Sequence, residues 1–226
     1  MRMRLVLALL ALLLWAAPTA SAHRPDWGEA SGVTEIADIV NSVAFYRDLT
    51  GADDVDAYVF TARAGDRLHA GINTPVVQGL EDYGASVALF GPGLPTADYA
   101  ALPPGSPADL GAAVFPTRPG ADFFEPFTQT NYWGRQRLEV DLLMAGTYYL
   151  VVWHPAGAAG KYVLDVGTAE VFGPGDLFLF PIWWVRVHAF FGHLNYLAAA
   201  LVLLGALAGV VYLRRRAPAK PRPSAA

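Results

Sequence analysis

The chain has 226 residues, 16 Lys+Arg against 20 Asp+Glu, a formal charge of −4, and no cysteine. Without cysteine there is no disulfide scaffold, zinc–thiolate site or thiol chemistry, so an exported domain must stand on its own hydrophobic core. Residues 23–193 hold all 20 acids and nine bases, a balance near −11 that excludes nucleic acid as a partner.

The first 22 residues, MRMRLVLALLALLLWAAPTASA, carry Arg2 and Arg4, an apolar run from Leu5 to Ala17, and the small residues Ala20-Ser21-Ala22. This is the n-region, h-region and cleavage pattern of a secretory signal. The run is short for a bilayer span, which needs about 20 residues. Residues 1–22 therefore read as a signal peptide, with His23 the mature N-terminus. Its amine and imidazole make a candidate copper chelate, with His69 or His154 as the second imidazole, since nitrogen donors suit Cu(II). The stretch behind it, RPDWGEASG, reads as a flexible leader.

From Asp26 to Gly167 the pattern is that of strands. SVAFYRDL (42–49), VDAYVFTA (55–62), ASVALFG (85–91) and TYYLVVW (147–153) are β-branched or aromatic runs of strand length. RLHAGI (67–72) turns Leu68, Ala70 and Ile72 inward. RLEVDL (137–142) does so with Leu138, Val140 and Leu142, and KYVLDVG (161–167) with Tyr162, Leu164 and Val166. Period two marks half-buried strands, and ARAGD, GPGLP, LPPGSP and PAGAAG supply the turns. Residues 23–169 are thus expected to form one extracytoplasmic, jelly-roll-like antiparallel β-sandwich. Where a turn meets a strand, Asp53, Asp54 and Asp56 offer oxygen ligands for calcium.

Three stretches carry a family pattern: DDVDAYVFTARAGDRL (53–68), ASVALFGPG (85–93) and AGTYYLVVWHPAGAAGKYVLDVG (145–167). Together they resemble bacterial pre-peptidase C-terminal domains, in which an Asp-x-Asp-x-Tyr strand, a strand ending in a Gly-rich turn, and paired Gly-Thr-Tyr-Tyr and Gly-x-Tyr strands recur. The resemblance implies a secreted, jelly-roll-type, non-catalytic accessory module. This chain departs from the pattern in having no attached catalytic domain and in its aromatic stretch 121–135.

That stretch, ADFFEPFTQTNYWGRQ (121–136), reads as a long loop. It sets Phe124, Phe127, Tyr132 and Trp133 beside Glu125, Gln129, Asn131 and Arg135. Aromatic faces next to amide and charged groups are what a carbohydrate or peptide ligand requires. No nucleophile elbow, His-Glu-x-x-His helix, P-loop or dinucleotide fingerprint occurs, so the chain reads as non-enzymatic, without an obligatory cofactor.

Residues 170–193 form an aromatic juxtamembrane segment, in which Trp183, Trp184, Arg186, His188 and His193 read as anchors at the lipid interface. On a continuous helix the five-residue step sets His188 and His193 about 140° apart, on different faces. Leu194 to Leu213 contains no charged residue and reads as a transmembrane helix, followed by the basic tail 214–226 with Arg214, Arg215, Arg216, Lys220 and Arg222. Positive charge on that side predicts a single-pass, type I plasma-membrane protein, with membrane lipid as one partner. Gly205 and Gly209, four apart on one helix face, predict pairing with a second copy or another membrane protein. Heavy use of Ala, Gly, Pro and Arg points to a GC-rich bacterial genome.

Overall fold

The computed structural model describes residues 23–29, 32–96, 102–103, 105–107, 109–118, 120–126 and 128–216. The expected signal peptide, Phe127, Lys220 and Arg222 lie outside the described residues. In chain order the strands are β1 (Arg24–Asp26), β2 (Val33–Glu35), β3 (Val43–Leu49), β4 (Asp56–Ala62), β5 (Arg67–Pro75), β6 (Ser86–Gly91), β7 (Gly111–Phe115), β8 (Asp122–Glu125), β9 (Thr130–Asp141), β10 (Gly146–Trp153) and β11 (Gly160–Val166). Two helices follow, α1 (Asp176–Phe190) and α2 (Leu194–Arg216).

The strands form two sheets. One has the order β1-β3-β11-β5-β9-β8 and the other β2-β4-β10-β6-β7. Between them lies the core, and the period-two reading assigns its faces correctly. Leu68, Ile72, Leu138, Tyr162, Leu164 and Val166 are fully buried in it, with Phe60, Tyr148 and Leu150 from the facing sheet. Pairing is antiparallel except at the N-terminal edges, where β1 runs parallel to β3 and β2 parallel to β4. The sandwich is therefore mixed rather than wholly antiparallel. The expected flexible leader is instead the source of β1, an edge strand.

One polar group crosses this core. Asp56 is buried at the start of β4, where the Arg47 guanidinium ion-pairs with it and the Tyr162 hydroxyl donates to its Oδ2 at 2.7 Å. The Tyr58 and Tyr162 hydroxyls meet at 2.8 Å. Arg47 also donates to the carbonyls of Trp27, at 3.1 Å, and Glu29, at 2.8 Å, so one side chain ties the N-terminal segment to the sandwich. Beside the carboxylate, Arg47 is held above its ordinary range, and burial raises both phenols.

The aromatic stretch 121–136 is not a loop. It forms a hairpin, β8 pairing with β9 from Asp122 opposite Trp133 to Glu125 opposite Thr130. Backbone hydrogen bonds pair the inner edge of β8 with β9, and the turn uses Gln129 with φ 56°. A shift of register between Ile72 and Asn73 lets β9 follow β5 for its whole length.

Helix α1 also departs from expectation. Rather than only facing lipid, it lies on the outer face of the six-stranded sheet, burying Val187 and Phe191 against Ala44, Tyr46, Tyr132 and Val163. Trp183 and His188 are buried, Trp184 packs on the His188 ring with centroids 3.9 Å apart, and Arg186 stacks over Trp27 at 3.5 Å. Four of the five expected interface anchors, Trp183, Trp184, Arg186 and His188, thus serve packing on the protein. Helix α2 runs over 23 residues, with Gly205 and Gly209 facing open space. Counted over the described residues, no helix is long and apolar enough to cross a membrane. The side chains of Leu194, Tyr196, Leu197, Ala200 and Leu213 lie outside that set.

Candidate functional site

Because α1 covers only part of the outer sheet face, a hollow remains beside it. It has a volume of about 310 Å³ and is walled by side chains from five strands and the N-terminal segment. Gly71 makes the hollow possible: a Cβ there would stand 2.7 Å from Asp165 Oδ1. In its place Asp165 lies across the strand and accepts from Asn73 Nδ2 at 2.6 Å. His23 closes one side, its Nδ1 2.5 Å from Ser42 Oγ and its Nε2 3.9 Å from Asp165.

Ala44, Val163 and the phenols of Tyr46 and Tyr132 line the apolar part. The two hydroxyls lie 3.2 Å apart, and Thr130 Oγ1 donates to Tyr132 at 3.3 Å. Burial pushes both phenols up, Tyr132 to about 12, so they remain neutral donors and acceptors. The hairpin supplies the opposite wall. Phe123 stacks on Tyr132 with centroids 5.3 Å apart, and Phe124 is more than half exposed. Glu125 accepts from the backbone N–H of Thr128 at 2.6 Å and from its hydroxyl, which fixes the carboxylate at the turn. Arg137 completes the rim.

Of the residues expected at a ligand site, the structure brings Phe124, Glu125 and Tyr132 into this hollow. Trp133 and Arg135 turn the other way: Arg135 packs on the Trp133 ring at 5.5 Å and donates to Glu81 O at 2.6 Å and Thr74 Oγ1 at 3.4 Å. Gln129 and Asn131 are exposed outside it. The sequence reading missed Gly71, Asn73, Arg137 and Asp165 as wall residues. Period two placed Asp165 and Gly71 outward, but nothing in the sequence showed that β5 and β11 would be neighbours.

The expected metal donors are dispersed. Asp56 is occupied by Arg47 and Tyr162, while Asp54 caps Thr50, accepting from its N–H and its hydroxyl at 2.8 Å each. Asp53 shares only a shallow surface hollow with Asp54. His154 stacks on Tyr83 and its Nδ1 accepts from Ala158 N at 3.0 Å, whereas His23 sits at the opposite sheet. His69 is on β5 opposite Glu139, half-buried. Among the described residues no group of three or more His, Asp or Glu is placed to hold a metal ion.

No protein-family model matches the chain, and no curated protein matches it. Solved structures do. The periplasmic inhibitor of g-type lysozyme PliG from Aeromonas hydrophila is 16% identical, with 65% of this chain and 98% of that one covered at a TM-score of 0.36. PliG from Salmonella Typhimurium is 20% identical, over 61% and 98%, at 0.32. The pre-peptidase C-terminal domain of a collagenase from Bacillus anthracis is 14% identical, over 61% and 96%, at 0.33. Values this low carry nothing about ligand or partner to this chain; the sandwich stands on its own two sheets.

Proposed function

We propose that the chain is a non-enzymatic binding module on the extracytoplasmic side of a bacterial membrane, taking a carbohydrate in the hollow beside α1 and tethered by residues 194–213. The observation that carries the ligand reading is the hollow itself: exposed aromatic rings at Phe123 and Phe124 face planar polar groups at Asn73, Asp165 and Arg137. Ring faces stack on the apolar side of a sugar, while carboxylate, amide and guanidinium groups take its hydroxyls in pairs. The signal-like N-terminus supports export.

The tether rests on the sequence, where Leu194 to Leu213 carries no charge and Arg214 follows. Helix α1 adds an outward ridge, with Phe178, Leu179, Ile182 and Val185 exposed on the side away from the sandwich, as in a helix lying at a lipid interface. In cells the full chain is expected to stay with membranes through alkaline extraction; complete release would overturn the tether.

The ligand reading is tested on the full chain in nanodiscs, against a panel of oligosaccharides with short peptides as the comparison. Phe124→Ala and Asn73→Ala should each weaken saccharide binding by about tenfold or more, with the fold unchanged because both side chains are at least partly exposed. Saccharide binding that is absent, or indifferent to both substitutions, would sink the proposal. Peptide binding lost in both variants would keep the site and replace its ligand class.

A further inference from the structure

The junction between the two helices brings together a pair of imidazoles. Helix α1 ends in a turn of defined type: Gly192 takes φ 77°, its N–H donates to Ala189 O at 3.0 Å, and His193 N–H donates to His188 O at 2.8 Å. These two bonds, one spanning three residues and one spanning five, are the Schellman closure of a helix C-terminus. The chain therefore doubles back instead of continuing as helix. His193 returns over His188, and the angle of about 140° expected from an unbroken helix does not arise. The two Nδ1 atoms converge to 3.4 Å, with ring centroids 5.6 Å apart.

The distance discriminates between the uses of such a pair. Hydrogen bonds from nitrogen to a neutral acceptor cluster near 2.9–3.0 Å, so 3.4 Å is a long contact for a shared proton. Two imidazoles on one tetrahedral zinc, at Zn–N of about 2.0–2.1 Å, stand roughly 3.3–3.4 Å apart. Adjacent ligands of a square-planar Cu(II) stand only about 2.8 Å apart. The surroundings hold one ligand in place. His188 is buried, with Trp184 packed on its ring.

We propose that His188 and His193 form a two-imidazole zinc site through their Nδ1 atoms, with water in the remaining positions. Its place in the fold gives it a mechanical role. Zinc would pin the first residue after the turn to the last turn of α1, and so fix the direction in which α2 leaves the sandwich-bound helix. The site is separate from the hollow on the sheet and does not depend on what that hollow binds.

The test uses the full chain without an affinity tag, in detergent micelles, titrated with Zn²⁺ alone and with Co²⁺ as a spectroscopic substitute. The wild type should bind one Zn²⁺ at micromolar concentration, and Co²⁺ should give the intense visible absorption of a tetrahedral centre. His193→Asn, in a partly exposed side chain of similar size, and His188→Asn should each weaken zinc binding by about tenfold or more and abolish that absorption. His154→Asn, on the far side of the sandwich, should change neither. If the wild type takes up no zinc, or if both junction variants bind it as the wild type does, the proposal fails. Should His188→Asn unfold, His193→Asn alone decides.

Discussion

Arg47→Met is expected to destabilise the protein by about 3–5 kcal/mol, as measured by denaturant unfolding. The physical reason is the carboxylate it would leave behind. Asp56 is only 6% exposed, and its two identified partners are the Arg47 guanidinium and the Tyr162 hydroxyl. Methionine fills much of the space along the arginine stem but leaves a buried charge with a single neutral donor. The carbonyls of Trp27 and Glu29 lose their donor as well, although water can reach that more open side. Removing both members changes the sign of the argument. In Arg47→Met with Asp56→Leu no charge is stranded, and the double variant should regain most of the loss, since apolar replacements of buried pairs are often neutral or better. A single substitution costing less than about 1 kcal/mol would show that Asp56 is solvated well enough to stand alone.

The same carboxylate shows why sequence reading reached the fold more readily than the site. Alternation along β5, β9 and β11 has a period that only a half-buried strand produces, so Leu68, Leu138 and Leu164 could be placed inward without knowing their neighbours. Asp56 has no such signal. It stands beside Asp53 and Asp54 at a turn, and its residue type alone suited calcium as well as an ion pair. Only the tertiary pairing that sets β3 beside β11, and β4 across the core from both, puts Arg47 and Tyr162 on it. The hollow is a harder case. Gly71, Asp165, Tyr46 and Tyr132 come from four strands distant in sequence, and their meeting depends on sheet order.

Hairpin β8–β9 failed for a local reason. Asp122–Glu125 is nearly all exposed on an edge strand, so it lacks the alternation by which strands are recognised. Helix α1 was visible as an aromatic segment, but being apolar on every side it gave no sign of which face would meet protein. The structure divides it, burying Trp183 and Val187 and leaving Phe178 and Ile182 outside. Gly192 then decides the rest, since a residue at φ 77° ends the helix that the spacing of His188 and His193 had been read against.

Gly91→Ala is expected to be among the most damaging single-methyl additions in the chain, and its effect should vanish in the right background. A Cβ at Gly91 would lie 2.0 Å from Tyr148 Cδ1 and 2.4 Å from Cε1. The ring cannot retreat. Tyr148 is fully buried and stacks on Phe60 with centroids 5.6 Å apart, while its hydroxyl donates to Met144 O at 2.7 Å and approaches Pro92 O at 3.0 Å. Overpacking of this kind costs typically 1–3 kcal/mol and occasionally more, and here the upper end is expected, about 3 kcal/mol. Tyr148→Ala by itself should cost about 3–5 kcal/mol, through lost burial and the cavity left between the sheets. In that background the methyl at residue 91 meets empty space, so Gly91→Ala should become neutral or slightly stabilising. Unfolding of the four proteins should therefore give a coupling energy of about 2–3 kcal/mol, where unconnected sites add within about 0.5 kcal/mol. Additive losses would mean that the β6 backbone moves aside to admit the methyl, and that the contact between Gly91 and Tyr148 does not set the spacing of strand and ring.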